Sequence, residues 1–252
     1  MCLVVFAWQA HPQYRLILAG NRDESHQRPT QDAHWWPDNE SILAGRDLQA
    51  GGTWLAMSKS GRFATVTNFR ERQGRKAMLE SRGTLVTDFV GGSQSLGEFE
   101  SSISNKDYAG FSLLVSDRES MFYLSNRDDL EANVAPGIYG LSNASLDTPW
   151  SKVVRAKAWL ESLIENDAVN ETELLRLLAD RTPAAADDVA ADDLPFDIAR
   201  ALTAPFIMAP DYGTRSSTTV LWGYDDVVEF SERRFDPTGR TTGDSRFRFV
   251  LE

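Results

Sequence analysis

Cys2 is the single cysteine among 252 residues, and its place beside the initiator methionine gives it a chemistry no internal cysteine has. Removal of Met1 would leave Cys2 with a thiol and a free α-amine on one residue. The reference pKa of such an amine is about 7.7–8.0, near enough to neutral to accept the thiol proton. One residue could then serve as nucleophile and base, as an N-terminal threonine does with its own amine. The competing reading is a small apolar filler at the start of a strand. The tetrapeptide Asn21-Arg22-Asp23-Glu24, which reads as the end of a strand opening into a polar loop, supplies what such a nucleophile needs. Asp23 could orient the amine, and Arg22 could stabilise a thiolate or grip a carboxylate, with Asn21 and Glu24 as flanking substrate contacts. A turn closed by a structural ion pair would use the same residue types.

Asn68 and Asn143 each follow an apolar run, Phe63-Ala64-Thr65-Val66-Thr67 and Ile138-Tyr139-Gly140-Leu141-Ser142. Each could deliver a side-chain amide to an oxyanion at a strand end, or simply make a turn. Arg215 lies in the polar segment 211–219, which reads as a connection between two strands, and could hold an anionic group or an edge ion pair. His11, His26 and His34 lack metal-ligand spacing and have no cysteine partners, so no metal site is expected. No G-x-S-x-G elbow or histidine-based triad is evident.

These residues must be carried by strands. Residues 2–8 form a continuous apolar run rich in β-formers, and 14–20 form another, with His11-Pro12 as turn chemistry between them. An antiparallel hairpin follows. With its turn centred between His11 and Pro12, Cys2 lies opposite Asn21, and a slip of one or two residues still leaves it beside 21–24. Opposed residues in such a ladder have Cα atoms about 4.5–5.5 Å apart. Further strands are expected near 42–46, 53–58, 62–68, 110–116, 121–126, 138–142, 205–209, 217–223, 226–230 and 246–251. Helices are expected over 83–91, after a Ser95/Glu98 capping box, over 149–165 with Val153, Val154, Ala158, Leu160, Leu163 and Ile164 mostly on one side, and after Asn170. Residues 183–195 read as an exposed acidic loop or a frayed helical turn. Strands in runs with helices in blocks give an α+β layered fold in a single domain over 1–252.

Composition narrows the function. The chain holds 42% hydrophobic residues, enough for a sizeable core, and a net charge of −11. That charge argues against nucleic-acid binding, which needs a basic face. The basic cluster Arg70, Arg72, Arg75 and Lys76 reads as a solvated loop or a dock for a small anion. One cysteine and no apolar run of membrane length predict a reducing, cytoplasmic setting without membrane insertion. The oligomeric state is left open.

Several blocks together resemble one family. They are Met1-Cys2, Asn21-Arg22-Asp23-Glu24 with Arg28-Pro29, Ala50-Gly51-Gly52-Thr53-Trp54, Thr67-Asn68-Phe69-Arg70, Ser81-Arg82-Gly83, Leu141-Ser142-Asn143 with Trp150-Ser151-Lys152, and Tyr212-Gly213-Thr214-Arg215-Ser216-Ser217-Thr218. The chain is similar in these to the NRDE family, also called the transport and Golgi organisation 2 family. The resemblance implies the four-layer αββα sandwich of N-terminal-nucleophile hydrolases. More distantly, the chain resembles the cysteine hydrolases of the choloylglycine hydrolase and penicillin V acylase type. That likeness implies Cys2, Asp23, Asn68 and Asn143 as catalytic residues, with Arg22 and Arg215 binding substrate. There is a departure: the early Arg and Asp of those hydrolases are separated, whereas Arg22 and Asp23 are adjacent, so on a continuing strand they face opposite ways. Two functions follow. One is hydrolysis of a small amide or acyl compound with no required cofactor. The other, implied by the family's associations, is carriage of haem or acyl-CoA without turnover, with haem as cargo.

Overall fold

The computed structural model describes residues 2–69, 80–103, 107–128, 132–189 and 194–252, which places the basic cluster at 70–76 outside the described residues. The apolar start of the chain folds as expected into β1 (Leu3–Trp8), whose six residues are all buried. It turns back into β2 (Tyr14–Ser25). The His11 ring makes the turn: its Nδ1 accepts from the backbone N–H groups of Gln13 and Tyr14 at 3.1 and 3.3 Å.

Strand β2 is twelve residues long, so Asn21-Arg22-Asp23-Glu24 does not end a strand but lies within one. The reason is its second neighbour, β11 (Tyr212–Gly223), which pairs with β2 as far as Ser25 and satisfies the backbone of that polar stretch. The segment 211–219 is therefore largely strand and not a connection. The strand expected at 205–209 does not form; this stretch contributes an isolated bridge, Met208 to Gly213.

The described residues divide into two compact units. The first contains residues up to Gln27, then 136–142 and 147–248. With β10 (Gly137–Leu141), β12 (Val227–Phe235) and β13 (Thr241–Val250), its sheet runs in the order β10-β1-β2-β11-β12-β13. One face of that sheet carries α3 (Ser151–Glu165), on β1 and β10, and α4 (Glu171–Leu178), on β2 and β11. Leu3, Val5, Ala7, Ile17, Ala19 and Leu221 pack there against Val153, Ala156, Leu160, Leu163, Leu174 and Leu177. The buried stripe of α3 is rotated from the expected one. Val154 is 51% exposed and Ala158 is exposed, while Lys152 and Ala156 face inward. As expected, Asn170 caps α4, its side chain accepting from the Glu173 N–H at 3.0 Å.

The second unit holds residues 28–135, 143–146 and 249–252. Its sheet runs β3 (Thr30–Trp36), β4 (Asn39–Asp47), β5 (Leu55–Ser58), β6 (Phe63–Asn68), β7 (Phe111–Ser116), β8 (Met121–Ser125) and β9 (Ala132–Asn133). The polar start of β3 hid it from sequence patterning. Helix α1 (Arg82–Gly91) buries Leu85, Val86, Phe89 and Val90 on β4, β5 and β6. Helix α2 (Leu96–Ile103) opens on the expected capping box: Glu98 accepts from the Ser95 N–H at 2.8 Å, and Ser95 Oγ from the Glu98 N–H at 3.3 Å. Gly52 and Gly83, from two of the sequence blocks, touch so closely that a Cβ on Gly52 would lie 2.5 Å from the Gly83 carbonyl carbon. Those glycines are explained by packing.

Candidate active site

Pairing of β1 with β2 sets Leu3 against Asn21, so Cys2, one residue earlier, falls across from Arg22. Leu3 and Asn21 face the helices. Asn21 Nδ2 donates to the carbonyls of Leu178 and Pro205, both at 2.9 Å, and Oδ1 accepts from Ser217 Oγ at 2.6 Å. The Asn21 amide is thus spent on clamping β2 to the end of α4. Strand alternation then points Arg22 to the opposite face, together with Ser216, its β11 partner, while Cys2 lies one residue before β1. The Arg22 side chain is 5% exposed and Cys2 is half-buried. The Cys2 carbonyl is held by Ser142 Oγ, which donates to it at 2.6 Å.

A register shift between Thr214 and Ser216 expels Arg215 from the β2–β11 ladder and brings Thr214 opposite Asp23. Thr214 Oγ1 donates to Asp23 Oδ1 at 2.6 Å and accepts from the Ile207 N–H at 2.9 Å. Tyr212 Oη donates to the Asp23 carbonyl at 2.7 Å. Asp23 therefore shares the helix-facing side with Asn21, as adjacency to Arg22 demands. It is 4% exposed, and burial pushes its carboxyl up to about 6; nearby positive charges, Lys152 and Arg22 among them, and the Thr214 hydroxyl oppose that rise.

Released by the bulge, Arg215 donates from Nη1 to the Ser25 carbonyl at 2.7 Å. Glu24 Oε1 accepts from the Ser25 N–H at 2.8 Å. Asn68 and Asn143 come together in the second unit, where Asn143 Nδ2 donates to the Asn68 carbonyl at 2.7 Å. Three residues around Cys2 and Asp23 escape sequence reasoning: Ser142, Thr214 and Lys152. Lys152 is the one with a readable signal, since it falls on the same helical stripe as Val153, Ala156, Leu160 and Leu163.

The family described as Transport and Golgi organisation 2 matches residues 1–237. A Bos taurus Transport and Golgi organization protein 2 homolog is 35% identical over 98% of this chain and 99% of its own length. The chain belongs to this family. Among solved structures, a Caenorhabditis elegans N-acylethanolamine-hydrolyzing acid amidase ortholog is similar with a TM-score of 0.52 at 10% identity, covering 87% of this chain and 92% of its own. The C2A variant of conjugated bile acid hydrolase from Clostridium perfringens is similar with a TM-score of 0.52 at 9% identity, covering 100% and 97%. At such identities the likeness shows the fold: this family member has the α+β fold of the N-terminal-nucleophile hydrolases. Among the described residues, no helix is long and apolar enough to cross a membrane.

Proposed function

We propose that this member of the family is a cysteine N-terminal-nucleophile hydrolase of a small amide or acyl compound. The observation that supports it is the β1–β2 register, which sets Cys2 across from the buried Arg22 with Asp23 the next residue along. Loss of Met1 gives Cys2 a free amine. Its thiol then attacks the substrate carbonyl, passing its proton to that amine. Collapse of the tetrahedral adduct breaks the C–N bond, and the departing amine takes the proton. Water then opens the thioester, giving its proton to the α-amine; the C–S bond breaks, the acid is released, and the α-ammonium returns the proton to the sulfur. Asp23, ionised above about pH 6, orients the α-amine. Arg22 steadies the thiolate, and Arg215 with Glu24 meets polar groups of the substrate. No step is assigned to Asn68 or Asn143.

The test joins intact mass with turnover. Purified protein is expected to lack Met1 and to hydrolyse at least one of a panel of N-acyl amides, and Cys2→Ala is expected to abolish that turnover while keeping the fold. Full retention of Met1 overturns the mechanism. Saturable binding of haem or an acyl-CoA, without hydrolysis of any amide or thioester, identifies a carrier instead.

A further inference from the structure

We infer that Lys152 is the positioning residue for Asp23: from the start of α3, its ammonium holds the Asp23 carboxylate charged within the layer between sheet and helices. The inference deepens the reading of Cys2 as nucleophile and, in its functional consequence, rests on it.

The case begins with burial. Lys152 is the second residue of α3 and is 1% exposed, in a largely apolar layer where its Nζ lies 6.0 Å from the centroid of the Trp150 ring. An ammonium taken from water into such a layer costs several kcal/mol unless an opposite charge compensates it. Sorting the buried charges of the first unit by sheet face identifies the compensating group. Asn21 and Ser217 are joined by their side chains on the helix face, as are Asp23 and Thr214. Arg22 and Ser216 therefore occupy the other face, and so does Glu232, whose partner Thr218 follows Ser217. Among the buried charged side chains of the described residues, this leaves Asp23 on the helix face with Lys152, and Arg22 on the other face with Glu232. Burial raises the Asp23 carboxyl, and nearby positive charges, Lys152 and Arg22 among them, oppose the rise together with the Thr214 hydroxyl, which agrees with this placement. The Thr214 and Tyr212 hydroxyls fix Asp23 so that it cannot turn away.

Lys152→Met keeps the length of the side chain without its charge, and Lys152→Arg keeps the charge. Carboxyl NMR of the full chain should show Asp23 titrating at least about one unit higher in Lys152→Met, the size expected from loss of a close opposite charge. Lys152→Arg should return it to within about half a unit of the unaltered protein. Urea unfolding of Lys152→Met, Asp23→Asn and the double variant should show the double variant recovering part of the combined loss. If Lys152→Met does not fold alone, folding of the double variant supports the pairing, and its failure to fold overturns it. An Asp23 titration that ignores Lys152→Met, or strictly additive losses, also overturns it. The nucleophile reading is judged separately: if Asp23 responds as expected while Cys2 of the unaltered protein resists iodoacetamide, the pairing stands and the reaction assigned to Cys2 falls.

Discussion

The hydroxyl of Ser142 donates to the carbonyl of Cys2 at 2.6 Å, tying the residue after β10 to the residue before β1. The start of the chain is thereby fixed by a neighbouring strand as well as by its own ladder. Ser142→Ala is expected to cost about 1 kcal/mol, the usual worth of one such bond. It should also speed alkylation of Cys2 several-fold, because the half-buried residue loses the bond that fixes its carbonyl and opens to the reagent more often. Urea unfolding with timed iodoacetamide labelling measures both.

Asn21 carries the clamp between β2 and the helix layer. Its side chain engages two carbonyls and one hydroxyl, all buried. Asn21→Ala leaves those groups unsatisfied at about 1–3 kcal/mol for each stranded group. A fall of at least about 3 kcal/mol in unfolding free energy is expected, far beyond an ordinary surface substitution.

Asp23 gives stability a pH dependence of known sign. Its carboxyl is raised from 3.8 to about 6 in the folded protein. Between those values the folded state binds more protons than the unfolded chain, so stability from this group falls as pH rises through the window. Two units correspond to about 3 kcal/mol. The stability difference between Asp23→Asn and the unaltered protein should therefore move in favour of Asp23→Asn by about that amount from about pH 3 to about pH 7.5. Chemical unfolding at several pH values within this range checks it.

Gly52 tests the second unit. A methyl group at this position would meet the Gly83 backbone at 2.5 Å, where no flexible side chain can give way. Gly52→Ala is expected to destabilise by at least about 2 kcal/mol, within the range for overpacking. A thermal melt that matches the unaltered protein would show that the contact is looser than described.

The hairpin that presents Cys2 was legible because apolar β-formers flank turn residues over a short span. Its register was off by one. The imidazole of His11 accepts from both Gln13 and Tyr14, and the Gln9 N–H pairs with the Arg15 carbonyl, so the turn centres on Pro12, Leu3 pairs with Asn21, and the register carried one residue further sets Cys2 across from Arg22. Polar residues 21–24 looked like a strand end because patterning sees side chains, whereas β11 supplies backbone partners that patterning cannot see. The same blindness hid the bulge at Arg215 and the Thr214 bond to Asp23. Asn68 and Asn143 were each legible as strand-end amides, yet their contact spans 75 positions and leaves no local trace. Lys152 was readable in principle, but a lysine at a helix start is ordinarily assigned to solvent.

The reaction assigned to Cys2 is tested most directly by trapping its acyl intermediate. The unaltered protein is mixed with an activated thioester or amide, quenched in acid and digested, and the N-terminal peptide is weighed. The account predicts a peptide that begins at Cys2 and carries one acyl group, absent from Cys2→Ala and discharged on return to neutral pH. An N-terminal peptide still bearing Met1, with no acyl group at any time point, contradicts it.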